Sequence, residues 1–393
     1  MKFRSVLLMG LLMNVCVTSI LSFQQTQTLE LDQQQVFSDK KDSNPKSDTS
    51  SHGIVQRAHQ NGKLTLSGRI HRVVMLVDDG VSNNGFFMDS DQGPSMIRVD
   101  VNNQSQKGWI VSGSLEVGIQ SNRSFHVNQK NPNPGTDIRV IVAEIVFYNC
   151  KIGRFSFGRG FAAAWVAPEV DLSGTVPAAL LAVGNLAPGM LFVDDSNNEL
   201  SSIQVSDHFI DTERLLLTDR FRFDSKKFWS GMQLSGSIAA DSRWDAALRF
   251  YPEINKYKIR MVATYQHKPF RDIDHRVDLA FSIRHIYTGF SLTSGITYGI
   301  TNTDRTAMGY VIKGGWLKKI ISLGTTAFSI DYSLGNDILF QQDKAQSLGF
   351  FVLQKWNSVG VDFYAGFRNY NVKRQDIDLK PLDIFSLGVM YTF

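Results

Sequence analysis

The chain ends on Ile384-Phe385-Ser386-Leu387-Gly388-Val389-Met390-Tyr391-Thr392-Phe393, and the reading of these ten residues decides the fold. Counted back from the C-terminus, Phe393, Tyr391, Val389, Leu387 and Phe385 are large and apolar, while Thr392, Gly388 and Ser386 between them are small or polar. Successive side chains of a strand point to opposite faces, so this is a strand with one greasy, aromatic-rich face. A soluble domain usually ends in polar, frayed residues. Here the last residue is an aromatic at the apolar parity.

The same period of two recurs from Leu64 onward. Leu64, Leu66, Gly68, Ile70, Val74 and Leu76 share one face of a first strand that breaks at Asp78-Asp79-Gly80. Ile97, Val99 and Val101 alternate with Arg98 and Asp100, and Val111, Gly113, Leu115, Val117 and Ile119 alternate with Ser112, Ser114 and Glu116. Phe221 and Phe223 lie between Arg220, Arg222 and Asp224, and Val277, Leu279, Phe281 and Ile283 oppose Arg276, Asp278, Ser282 and Arg284. Strands near ten residues suit a tilted bilayer crossing better than a soluble sheet, whose strands average five or six. About sixteen such segments fit between Leu64 and Phe393, an even number as single-chain outer-membrane barrels require. The expected fold is all-β: a transmembrane antiparallel β-barrel of about sixteen strands, which leaves an aqueous lumen.

Bulk composition is compatible with that reading. Hydrophobic residues make up 43% of the 393, unremarkable for a soluble chain, but a barrel shows lipid only every second side chain. The net charge of +4 drops further once Lys2 and Arg4 are removed with a leader, so no nucleic-acid partner is implied. Of the two cysteines, Cys16 lies in the N-terminal apolar run and Cys150 stands alone, which excludes an internal disulfide after processing and any thiolate metal cluster.

Lys2 and Arg4 precede an apolar run from Val6 to Leu21, the pattern of a secretory signal peptide over residues 1–22. Residues 23–62 are rich in Gln, Ser, Asp and Lys, including Gln33-Gln34-Gln35, and have too few large apolar side chains to offset their ordering entropy. They read as a polar, disordered periplasmic tail, with the barrel domain from 63 to 393.

One stretch breaks the alternation. From Arg159 to about Phe209 no period of two persists, and a connection that long is usually functional. Its apolar middle, Val176 to Val193, contains Pro177, Gly184, Pro188 and Gly189, which argue against a spanning helix. The expectation is a third loop folded inward against the wall, its irregular backbone tolerated where it lines a cavity.

Several short motifs then converge on one family. Asp78-Asp79-Gly80 with Phe86-Phe87-Met88-Asp89, Leu115-Glu116-Val117, Glu169-Val170-Asp171-Leu172-Ser173-Gly174-Thr175, Asp219-Arg220-Phe221-Arg222-Phe223-Asp224, Arg243-Trp244-Asp245 and Thr326-Ala327-Phe328-Ser329-Ile330-Asp331-Tyr332 resemble the general porins of Gram-negative bacteria. The closing strand resembles theirs too. That resemblance implies a sixteen-stranded homotrimer in the outer membrane, with lipid and lipopolysaccharide around it and the third loop narrowing each pore. It also implies that Phe393, Tyr391, Val389 and Leu387 form the signature read by the barrel-assembly machinery. Glu169 and Asp171 would be the acidic side of the constriction, facing Arg214, Arg220, Arg222, Arg243 and Arg249, with Arg98 a weaker candidate. Opposed charges across a narrow constriction filter solutes by charge and dipole. The alternative is that each arginine only pairs with a strand neighbour such as Asp219, Asp224 or Asp245.

No catalytic motif is present. There is no Gly-x-Ser-x-Gly elbow, Walker loop or His-Glu-x-x-His, and His71, His126, His208, His267, His275 and His285 lack ligand spacing. Gly158-Arg159-Gly160-Phe161-Ala162-Ala163 imitates a dinucleotide loop without its βαβ context. The expected function is non-enzymatic and cofactor-free: passive diffusion of small hydrophilic solutes and ions, with a mild anion preference. A substrate-selective channel and a plugged barrel acting as adhesin or anchor are the alternatives.

Overall fold

The computed structural model describes residues 54–58, 62–104, 108–165, 170–209, 217–240, 242–270, 273–303 and 305–393; the expected leader and most of the expected tail lie outside these. Sixteen antiparallel strands close into one barrel wall. The first is Gly62–Asp78, and the second comes in two pieces, Asn83–Asp89 and Met96–Gln104, both paired with the first. The third to sixth are Trp109–Ser121, Thr136–Asn149, Gly153–Phe161 and Leu217–Ser225. The seventh to eleventh are Met232–Ala239, Trp244–Phe250, Tyr257–Phe270, Ile273–His285 and Phe290–Thr301. Thr306–Ile321, Gly324–Asn336, Lys344–Trp356, Val361–Lys373 and Leu382–Thr392 complete the wall.

Side chains alternate in the sense opposite to that of a soluble sheet. On the sixteenth strand Phe385, Leu387, Val389 and Tyr391 are exposed while Ile384 and Ser386 are buried. On the thirteenth Phe328, Ile330 and Tyr332 are exposed and Ser329, Asp331 and Ser333 buried. Water would penalise such an outer surface by roughly 25 cal/mol per Å², so its proper solvent is hydrocarbon. Aromatic pairs mark both ends of this apolar band. Trp109 with Phe155, Phe290 with Trp316 and Tyr391 with Phe393 stand at the rim of tight turns, and Trp244 with Tyr265 stands at the other. Tight turns on one rim and longer connections on the other orient a barrel, the turns facing the periplasm.

Closure is where the terminal strand does its work. The sixteenth strand pairs with the fifteenth on one edge and with the first on the other, from Arg69 opposite Thr392 to Asp78 opposite Asp383. The Gly68 N–H donates to the Phe393 carbonyl at 2.9 Å and the Phe393 N–H to the Gly68 carbonyl at 3.0 Å. The Phe393 ring lies over Gly68, where a Cβ would collide with it. A short strand, Ile54–Ala58, then pairs with the start of the first strand and continues that edge beyond the C-terminus. The end of the expected 23–62 tail therefore belongs to the sheet, and the barrel strands begin at Gly62.

A second tie crosses the same seam inside. Tyr364 of the fifteenth strand reaches over Gly388, whose missing side chain leaves room for the ring, and its Oη lies 2.8 Å from His71 Nε2 on the first strand. His71 Nδ1 stands 2.9 Å from the Gly93 carbonyl oxygen. A carbonyl only accepts, so Nδ1 carries a proton, and Nε2 makes the bond to the Tyr364 hydroxyl.

Candidate functional site

The insert leaves the wall after Phe161 and returns at Leu217, so the fifth strand carries two residues past the expected start of the loop at Arg159. Its root is gripped by arginines. Arg220 donates from Nε to the Phe161 carbonyl at 2.8 Å and from Nη1 to that of Gly158 at 2.9 Å. Arg222 Nη1 reaches the Ala162 carbonyl at 3.0 Å, and Arg249 Nη2 the Ala163 carbonyl at 2.7 Å. The Ala164 N–H donates to Asp245 Oδ2 at 2.9 Å. Carbonyls at the end of a strand have lost their ladder partners, and guanidinium donors satisfy them.

Farther on, the insert runs along the inside of the wall. The Leu172 N–H donates to Ser282 Oγ on the tenth strand, and Arg284 Nη1 donates to the Leu172 carbonyl, both at 3.3 Å. Asp171 Oδ2 accepts from Lys313 Nζ of the twelfth strand at 2.7 Å, and the same ammonium donates to the Ala179 carbonyl at 2.6 Å. Thr175 Oγ1 bonds Ser329 Oγ of the thirteenth at 2.8 Å, and Tyr370 of the fifteenth donates to the Val183 carbonyl at 2.5 Å. The Leu180 N–H meets Gln92 Oε1 at 3.1 Å. From root to Gln92 the insert thus follows the seventh strand round to the second.

Apolar packing fixes it there. Ala178, Ala179, Leu181, Val183, Leu186 and Ala187 are buried in one cluster with inward Val73, Met75, Val77, Phe86, Leu353 and Ile384. Each fully buried Val or Leu contributes about 1.5–3 kcal/mol. The insert continues as a small hairpin, Leu191–Asp194 with Glu199–Gln204, and one helical turn, Val205–His208. His208 is buried with Nε2 3.5 Å from Asp343 Oδ2 in the connection above the thirteenth strand. Burial pushes the His208 ring down to about 4 and pushes the Asp343 carboxyl up.

The remaining wall, from the second strand to the sixth, carries inward charge. Arg98 pairs with Asp100 at 2.8 Å and Glu116 at 3.1 Å. Glu144 accepts from Arg154 at 2.8 Å and from Arg220 at 2.7 Å. Nearer the loop rim Asp91 holds Arg123 at 2.8 Å and Arg139 at 3.3 Å.

Of the residues expected at the constriction, Glu169 and Arg214 lie outside the described residues. Asp171 faces Lys313 rather than an arginine, and both side chains are dry. Arg220, Arg222 and Arg249 donate to carbonyls at the root of the insert. Arg243 is half-buried at the loop rim near the Ala240 carbonyl, 3.4 Å from its Nε. Arg98 does face the lumen, paired with acids of its own wall. Leu387, Val389 and Tyr391 point outward, and Phe393 sits on the closure seam. Lys313, Glu144 and Arg154 went unread in the sequence, although inward parity in an alternating strand was a usable signal for each.

No family model matches the chain, and no curated protein matches its sequence. Solved structures do match its fold. The anion-selective porin from Comamonas acidovorans is 10% identical over 85% of this chain and all of its own, with a TM-score of 0.57. In-vitro folded OmpT, an outer-membrane protein of Vibrio cholerae, is 11% identical over 84% of this chain and 98% of its own, at 0.56. The outer-membrane channel DcaP of Acinetobacter baumannii is 11% identical over 86% and 99%, at 0.52. The barrel has the porin fold.

Proposed function

We propose that the protein is an outer-membrane porin, a water-filled channel through which small hydrophilic solutes and ions diffuse passively. The observation that carries this reading is the inward face of the second to sixth strands. Its charged side chains keep contact with solvent, while the insert is bonded to the opposite wall. Charged groups retained on the inside of a barrel call for water beside them. The apolar outer band favours a place in the outer membrane among lipid and lipopolysaccharide, and a homotrimer is the assembly we assign.

Liposome swelling tests the channel. Proteoliposomes should swell in uncharged sugars at rates that fall with sugar size, without saturation. Saturable swelling with one solute class would favour a substrate-selective channel. The apolar seating of the insert supports one rival, a barrel plugged for use as an anchor, and that rival predicts no swelling at all.

A further inference from the structure

The tight-turn rim of this barrel is basic and apolar at once. Along the connections 226–231, 251–256 and 286–289 and the end of the twelfth strand, Lys226, Lys227, Lys256, Lys318 and Lys319 are exposed. The same stretches contain a single acid, Glu253.

Two of these lysines meet at one tyrosine. Lys256 Nζ lies 5.9 Å from the centre of the Tyr287 ring, and Lys318 Nζ donates to the Tyr287 carbonyl at 2.5 Å. Neither ammonium has a carboxylate partner among the described residues, and the Tyr287 hydroxyl has no hydrogen-bond partner there. The tyrosine is 65% exposed. Its turn is tied on both sides: the Ile286 N–H donates to the Lys256 carbonyl at 2.7 Å, the Leu317 N–H to the Gly289 carbonyl at 3.0 Å and Trp316 Nε1 to the Thr288 carbonyl at 2.9 Å. Gly289, at φ 83°, makes the turn where a Cβ would strike the Leu317 carbonyl oxygen.

Below this cradle the outer wall is aromatic. Trp316 shares the outward parity of Lys318 and stands between Phe290 and Phe328, with ring centres 6.2 and 5.8 Å away and planes inclined by only 31° and 25°. Phe290 is 63% exposed and Phe328 42%. The three rings form a nearly flat apolar strip that leads from the two ammoniums into the hydrocarbon band.

We propose that Lys256, Tyr287 and Lys318 hold the headgroup of an anionic glycerophospholipid of the periplasmic leaflet, whose acyl chains lie along Phe290, Trp316 and Phe328. The inference goes beyond the channel reading: it needs the barrel in its membrane with the turns toward the periplasm, and not that it conducts. The phosphodiester supplies the charge that the paired ammoniums lack, and the phenol offers a donor to a phosphate or glycerol oxygen. A zwitterionic lipid brings an ammonium of its own, which two lysines repel.

The test is quenching of Trp316 fluorescence in the full-length barrel, folded into phosphatidylethanolamine vesicles with a rising share of lipid brominated on its acyl chains. The Trp316→Phe variant supplies the signal of the remaining tryptophans. Brominated phosphatidylglycerol should quench Trp316 at a share about tenfold smaller than brominated phosphatidylethanolamine needs, and the gap should narrow in 1 M salt. Lys256→Gln with Lys318→Gln should bring the two lipids level. Lys226→Gln with Lys227→Gln, at another turn of the same rim, should leave the preference in place, which separates a site from the general pull of a basic rim. Equal quenching of Trp316 by the two lipids in the unmodified protein overturns the proposal, whether or not the variants fold. So does a preference that survives the loss of Lys256 and Lys318, or one that loss of Lys226 and Lys227 removes as completely.

Discussion

Lys313 Nζ stands 2.7 Å from Asp171 Oδ2 and 2.6 Å from the Ala179 carbonyl oxygen, so one ammonium on the twelfth strand pins the insert at two points. Both side chains are shut away from water. Breaking a buried pair from one side costs about 3–5 kcal/mol, because the surviving charge is left in a dry site. Lys313→Met should therefore loosen the insert and destabilise the barrel by that order in urea unfolding. Asp171→Leu added to it should recover a good part of the loss. Equal stability of Lys313→Met and the unmodified protein would show that the pair does not hold the insert.

The dry site also predicts what Asp171 does not do. Asp171→Asn should weaken the seating of the insert yet leave the chloride-to-potassium ratio close to its original value, since this carboxylate faces an ammonium and not the lumen. A marked rise in anion preference in that variant would restore Asp171 to the constriction.

At the closure seam, Gly388 gives passage to the Tyr364 ring on its way to His71. Gly388→Val should displace the ring, break the bond to His71 and lower the temperature at which the folded barrel loses its compact form on a gel, by several degrees for about 2 kcal/mol. Gly113→Ala, where an added methyl meets nothing within 4 Å, is the matched control and should be neutral. Equal melting of the two variants would dismiss the seam as a point of strength.

Phe393 is bound to Gly68 by two backbone hydrogen bonds and by its ring. Removing Phe393 should slow folding into lipid vesicles and leave the first strand with an unpaired edge; Phe393→Trp should fold nearly as well. Normal folding without Phe393 would confine the residue to a signalling part, or to none.

His208 supplies the pH dependence. Its folded value of about 4 lies below the ordinary 6.5, because burial penalises the charged ring. The neutral ring's contribution is complete above pH 6.5 and is lost as pH falls toward 4, by up to about 3 kcal/mol. Asp343 is shifted upward by burial, so its protonation works the other way, lower in the range, with Asp207, Asp337, Arg374 and Asp376 as the nearby charges. Cleavage of the insert by added protease should rise between pH 7 and 5 and stay level in His208→Phe. An NMR titration of His208 with a midpoint near 6.5 would contradict this.

The wall was legible in the sequence because the membrane imposes one rule on every strand. Phe385, Leu387, Val389 and Tyr391 repeat the parity of Leu115, Val117 and Ile119, and the faces emerge as read. Legibility stopped where a strand is apolar on both sides. Val73, Met75 and Val77 look like more lipid-facing residues, yet they are the floor on which Ala178 to Ala187 sit. Asp171 and Lys313 are 142 residues apart with nothing local to join them. The root arginines act on backbone carbonyls, which exist at every position and give the sequence no mark.

Single-channel current from purified, refolded protein in a planar lipid bilayer tests the central claim most directly. The account predicts stable ohmic openings whose current scales with salt, closing in three equal steps as the subunits of a trimer shut in turn. Folded, heat-modifiable protein that passes no current would contradict it and would make the insert a plug.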